Sequence, residues 1–69
     1  MSVARNTEIS ATSGDSFEDA IRQGLARATK TLRNVKGAWI KEQYVEVDRD
    51  GGISEYKVTM IVTFILDDA

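Results

Sequence analysis

The amino-acid sequence predicts an α+β domain with the element order β-α-β-β, folded as one unit over residues 1–69. Three observations predict this fold. Apolar residues recur every three to four positions over residues 17–35, which is typical of a helix with one buried face. Residues 38–48 and 53–66 are rich in Val, Ile, Thr, Tyr and Phe around an Asp- and Gly-rich turn, as in a β-hairpin. Residues 2–10 alternate weakly and predict a short first strand.

The composition excludes several classes of function. The 69 residues include no Cys, His or Pro, which removes disulfides, thiolate zinc sites and the usual catalytic triads. A net charge of −2 is unlike that of a nucleic-acid binder. No apolar run has the length of a membrane span, and residues 1–12 lack the apolar core of a signal peptide, so we expect a cytoplasmic protein. No nucleophile is placed beside a base, so we expect no enzymatic activity and no catalytic residues.

The helix has recognisable start and stop signals. Residues 12–16 form a polar break, and Ser16 followed by Asp19 has the form of an N-cap with an acid in the first turn. Gly37 is placed to stop the helix. Ala20, Gly24 and Ala28 form a ridge of small residues, which predicts close packing of this helix on the sheet.

The hairpin predicts a sheet with two unequal faces. One parity of the last strand is an apolar row that the helix must cover, namely Tyr56, Val58, Met60, Val62, Phe64 and Leu66. The other parity is mixed and includes Ile61. On the preceding strand, Trp39, Lys41 and Gln43 share the parity that faces away from the helix, with Trp39 across from Lys57 or Thr59.

One helix covers only one face of a three-stranded antiparallel sheet, so the second face requires partner subunits or a ligand. We therefore expect a homo-oligomer. The economical topology places the long last strand between the first and second strands, which then run parallel at the two edges.

Two features of the sequence have alternative interpretations. Glu46, Asp48, Asp50 and Gly51 match the start of a calcium-binding EF-hand loop, but Lys57 stands where the closing Glu belongs, so we favour a solvated turn and expect no metal site. Trp39 is a large aromatic residue on the uncovered face. It packs either in a subunit interface or under a planar ligand, and the residues alone favour neither.

Three segments together resemble the dodecin family. These are Thr-Glu-Ile at 7–9, the helix segment 16–35 with Ala-Arg-Ala-x-x-Thr-Leu-Arg, and the closing segment 56–68 with Val-x-Phe-x-Leu. The resemblance spans nearly the whole chain. It implies a protomer that assembles into a hollow homododecamer and binds flavin, as FMN or riboflavin, for storage or sequestration without catalysis. It also implies coenzyme A as a further ligand to test.

The resemblance implies a binding site with two departures from the family pattern. Family members stack the flavin ring on a Trp and bind its edge with a Gln of the last strand. Here Gly37 stands at the Trp position and Trp39 follows two residues later on the same face, while Lys57 replaces the Gln. Lys57 suits a phosphate or an anionic ring. We expect the ligand site at Trp39, Lys57, Gly37, Lys41 and Gln43; the alternative is a dodecin-fold structural oligomer or calcium-binding shell without flavin.

Overall fold

The fold contains one helix packed against one face of a three-stranded sheet. A computed structural model of the chain describes residues 2–66. The elements are β1 (Ala4–Ser13), α1 (Phe17–Thr31), β2 (Val35–Val47) and β3 (Ile53–Ile65). The strand order is β1-β3-β2, and β3 pairs antiparallel with both neighbours. The predicted α+β class, the element order and the central last strand are therefore confirmed.

β1 is longer than the sequence pattern predicts. It continues to Ser13 because Thr12 and Ser13 pair with Lys57 and Tyr56 of β3, so the break before the helix is only residues 14–16. The predicted helix start is confirmed. Ser16 has extended backbone, and its hydroxyl accepts a hydrogen bond from the Asp19 backbone N–H at 3.0 Å.

The helix ends earlier than predicted, and Gly37 does not stop it. The last helical residue is Thr31, after which Leu32 N–H donates to Ala28 C=O. Asn34 then takes the left-handed backbone conformation, with φ of 61°, and so reverses the chain direction. Asn is one of the few residues other than Gly that adopts this conformation readily. Val35 already pairs with Phe64, so Gly37 lies inside β2.

The core lies between α1 and the middle of β3. Over residues 2–66 its buried apolar side chains are few: Ala20, Ala28, Val58, Met60 and Val62. These positions confirm the ridge of small residues and the middle of the predicted apolar row. At the end of that row, Leu66 is 41% exposed, so the helix does not cover it. A methyl group at Gly24 would lie 2.5 Å from Met60 Cε and 3.1 Å from Ala11 Cβ, which shows how closely the helix approaches the sheet.

The hairpin tip is stabilised by its own carboxylate. Asp48 Oδ1 accepts hydrogen bonds from the backbone N–H groups of Asp50 and Gly52, at 3.0 and 2.9 Å. Gly51 has a φ of 86°, a conformation that side chains disfavour. These contacts agree with the interpretation of this segment as a turn.

The hairpin extends well beyond the helix, so the protomer is elongated. The chain measures 54 × 19 × 13 Å and exposes 5128 Å² of surface. A compact protein of the same mass would expose about 4300 Å². The helix packs mainly on β1 and β3, and Ala38 of β2 packs against the edge of this core, so most of β2 is left without helical cover.

Candidate functional site

We call the sheet surface opposite the helix the outer face. Side chains of cross-strand partners share a face, and the partners of buried Val58, Met60 and Val62 belong to the helix side. The outer face therefore includes Asn6, Glu8, Ser10 and Thr12 of β1, Gly37, Trp39, Glu42, Tyr44, Glu46 and Val47 of β2, and Ile53, Glu55, Lys57, Thr59, Ile61 and Thr63 of β3.

Trp39 lies on the outer face, as its parity predicts, and its side chain is 63% exposed. Its partner on β3 is Ile61, so the predicted position across from Lys57 or Thr59 is wrong. Gly37 is two residues away and pairs with Thr63. Nothing lies within 4 Å of the place that a Gly37 Cβ would occupy. Open space therefore adjoins the indole on this side.

Lys41 is the extra residue of an irregularity between Ile40 and Glu42, where the register of β2 against β3 shifts by one. Its Nζ lies 3.0 Å from Glu8 Oε1 of β1. The hydrogen bond and the negative charge of Glu8 raise the pKa of Lys41 above its ordinary value. Because β3 separates these strands, the pair spans the outer face beside Ile61. The positive charge of Lys41 is therefore already paired with the carboxylate of Glu8.

The expectation that Gln43 shares a face with Trp39 is wrong. Gln43 pairs with Val58, whose side chain is buried under the helix, so Gln43 belongs to the opposite face. The cause is the extra residue at Lys41, since one added residue inverts every following side chain of the strand. Nothing in the local sequence, such as a Gly, marks this irregularity.

Lys57 lies on the outer face between Tyr44 on β2 and Thr12 on β1. It precedes Ile61, the partner of Trp39, by four residues of strand, or roughly 13 Å. Trp39 and Lys57 therefore share a face but do not touch within one protomer.

A groove of about 440 Å³ occupies the outer face between Trp39 and the hairpin tip. It is lined by Glu42, Gln43, Tyr44, Glu46, Lys57 and Thr59. Tyr44 is 52% exposed there. Sequence reasoning missed Glu42, Tyr44 and Glu46 of β2, because counting by twos through Lys41 assigns them to the helix side. Once the irregularity at Lys41 is known, the alternation along β2 assigns these three residues to the outer face.

Hydroxyl and amide groups occupy the remaining part of the outer face. Thr59 Oγ1 lies 3.2 Å from Ser10 Oγ, and Thr63 Oγ1 donates to Asn6 Oδ1 at 2.8 Å. These cross-strand pairs satisfy the polar side chains of β1 and β3. The large exposed apolar residues of this face are Trp39, Tyr44 in the groove, and the pair of Val47 and Ile53 at the hairpin tip.

Residues 2–66 also bear on two other classes of site. No cluster of three or more Asp, Glu, His or Cys side chains in this range is arranged to hold a metal ion. The helix in this range is too short and too polar to cross a membrane.

Comparison with known proteins gives one consistent result. The sequence model of the Dodecin family matches residues 3–67. A curated dodecin from Thermus thermophilus is 36% identical over 66 residues, which cover 96% of this chain and 94% of that protein.

The similar solved structures carry related descriptions. The T. thermophilus protein tt0972 superposes with a TM-score of 0.91 at 35% identity, covering 100% of both chains. A dodecin from Streptomyces davaonensis has a TM-score of 0.89 at 37% identity, covering 97% of each chain. A calcium dodecin from Mycobacterium tuberculosis has a TM-score of 0.80 at 28% identity, covering 97% of this chain and 94% of that one; it is described as having a novel calcium-binding site.

Proposed function

Since this chain belongs to the dodecin family, we propose that it binds a flavin without catalysis and stores or sequesters it in a homododecameric, cytoplasmic shell. The observation that carries the proposal is Trp39, a residue 63% exposed on the face of the sheet that lies opposite the helix. Burying such a ring against a second planar group is favourable both through the area removed from water and through stacking.

Gly37 supports the same assignment. The open space above this residue lies beside the indole, so a flat ring system can extend over the strand without meeting a side chain. The ring has one wall in this protomer, formed by Trp39. A second copy of the chain supplies the opposite wall, and the site is therefore completed only in the assembly.

The test is a titration of riboflavin and FMN, followed through flavin fluorescence. We expect quenching at micromolar protein, a large loss of affinity in Trp39→Ala and partial retention in Trp39→Phe, which keeps a stacking ring. Coenzyme A is included in the same screen as a further ligand. The proposal is contradicted if the wild type does not quench flavin fluorescence and the Trp39→Ala variant behaves in the same way as the wild type.

The calcium dodecin of M. tuberculosis supports a second candidate, a calcium-binding or purely structural shell. The described part of this chain gives that candidate little support, because the Asp48 carboxylate already binds its own turn and no metal-binding cluster occurs over residues 2–66. A rise in melting temperature on adding calcium, reversed by a chelator, would favour it over flavin binding.

A further inference from the structure

The groove beside Trp39 is placed to receive the flexible tail of a ring-shaped ligand. From Trp39 and Ile61, the next pairs on the outer face are Glu42 with Thr59 and then Tyr44 with Lys57. Both pairs line the groove. A ring that stacks on Trp39 can therefore direct its side chain along the strands toward the hairpin tip.

The charges of the groove oppose a phosphate. Glu42 and Glu46 line it together with a single cation, Lys57. Glu46 is also paired across the strands with Glu55, which adds a third carboxylate at the same end. Lys41 does not compensate, because its ammonium is 3.0 Å from Glu8. Lys57 alone favours an anion, but a phosphate dianion here meets more negative than positive charge.

The hydrogen-bonding groups of the groove suit hydroxyl groups. Carboxylates only accept hydrogen bonds, the Lys57 ammonium only donates them, and the hydroxyls of Tyr44 and Thr59 do both. A polyol chain donates and accepts, so it can satisfy all of these groups. A fully ionised phosphate only accepts, so it leaves Glu42 and Glu46 without a donor.

We propose that this groove selects flavins with a neutral polyol tail, so that the chain binds riboflavin more tightly than FMN. The inference rests on the proposed flavin-binding function and specifies its substrate class. Its structural basis is the pair of glutamates that flank Lys57 on the outer face, next to the Trp39 platform.

The test compares the ratio of the FMN and riboflavin dissociation constants, measured by fluorescence titration at low salt. We expect FMN to bind about 3- to 10-fold more weakly than riboflavin, since one exposed charge contact changes the free energy by about 1 kcal/mol. The double substitution Glu42→Gln and Glu46→Gln should lower this ratio to about one. Lys57→Gln should raise it, because the only cation of the groove is lost.

Two controls separate the groove charges from general effects. Glu18→Gln removes one carboxylate on the exposed helix surface, in an ion pair with Arg22, and should leave the ratio unchanged. Added salt should weaken the preference of the wild type, because it screens the exposed carboxylates. The salt series also tests the inference in the unmodified protein, in case the double variant fails to fold.

The outcomes separate the two proposals. Absence of binding to either flavin contradicts the proposed function itself. Binding of both flavins with FMN equal to or tighter than riboflavin overturns only the selectivity, as does a ratio that responds neither to salt nor to the glutamate substitutions.

Discussion

In the proposed flavin site, Trp39 provides the aromatic surface, and Gly37 leaves the adjoining space open because it lacks a side chain. Gly37 is not required by its backbone conformation, because only Gly51 among the described glycines has a positive φ. Its surroundings are open as well. The folded protomer therefore tolerates a side chain at position 37, whereas a large side chain there would fill the space proposed for the ligand.

This contrast predicts the behaviour of two substitutions at position 37. Gly37→Ala should fold normally and lose at most a few-fold in riboflavin affinity, since one methyl group fills only a small part of the space beside the indole. Gly37→Leu should fold but lose at least about tenfold in flavin affinity, because its side chain fills the space beside the indole. Circular dichroism and flavin titration on both variants provide the measurement. Equal affinity of Gly37→Leu and wild type would exclude a ring over this residue.

Gly24 has the opposite requirement, since its missing side chain allows the helix to touch the sheet. A Cβ there would lie 2.5 Å from Met60 Cε and 3.1 Å from Ala11 Cβ. Gly24→Ala should lower the free energy of unfolding by about 1 kcal/mol, because crowding costs of about 1–3 kcal/mol exceed the gain of up to about 1 kcal/mol in helix propensity.

Denaturation at fixed protomer concentration measures this effect, and Gly14→Ala is the matched control. Nothing lies within 4 Å of a Cβ at Gly14, so its substitution should change stability by less than about 0.5 kcal/mol. A stabilised Gly24→Ala variant would show that Met60 moves aside without cost.

For the helix and strands, the sequence predicted the features that depend on a few adjacent residues. It missed the features that depend on how the strands pair. The N-cap at Ser16 and the turn at Asp48 could be identified because each depends on a few adjacent residues. The end of the helix could not, since the apolar stripe continues through Leu32 and Val35 although Val35 already pairs with Phe64 of β3. Apolar spacing is compatible with both a helix and a strand at such a boundary.

The same distinction between local sequence and strand pairing applies to the residues of the candidate site. Trp39 and Lys57 lie on the predicted face, since parity is reliable along an uninterrupted strand. The face of Gln43 and the groove residues beyond it depend on the irregularity at Lys41. That feature arises from how β2 is placed against β3 and Glu8, contacts that are distant in sequence, and so no local pattern predicts it.

The N-cap at Ser16 can be tested by substitution. Ser16→Ala removes the hydroxyl that accepts the Asp19 N–H, and it should destabilise the protein by about 1 kcal/mol. Ser16→Asp keeps an acceptor and adds a negative charge near the helix N-terminus, so it should retain most of the stability. The melting temperatures of both variants at one protein concentration test this. Equal losses in Ala and Asp would show that the hydroxyl does not act as a cap.

The single helix of the protomer leaves much of the sheet uncovered. Beyond Ala38, the strand β2 exposes Ile40 by 40% and Val47 by 61%, although Ile40 pairs with fully buried Met60. Ile40 thus belongs to the helix side of the sheet at a place that its own helix does not reach. Exposed apolar surface of this kind is typical of protein–protein contacts, and further copies of the chain provide that contact in the proposed shell.

Assembly should therefore depend on Ile40. Light scattering on the wild type should show a particle near twelve protomers, and Ile40→Glu should dissociate it, because burying an unpaired carboxylate costs several kcal/mol. Ala26→Glu is the control, since Ala26 is exposed on the helix surface between Arg22 and Lys30 and should leave the particle intact. A stable wild-type monomer would contradict both the assembly and a flavin site that needs a second copy. A dodecamer that persists in Ile40→Glu would place the subunit contacts elsewhere on the sheet.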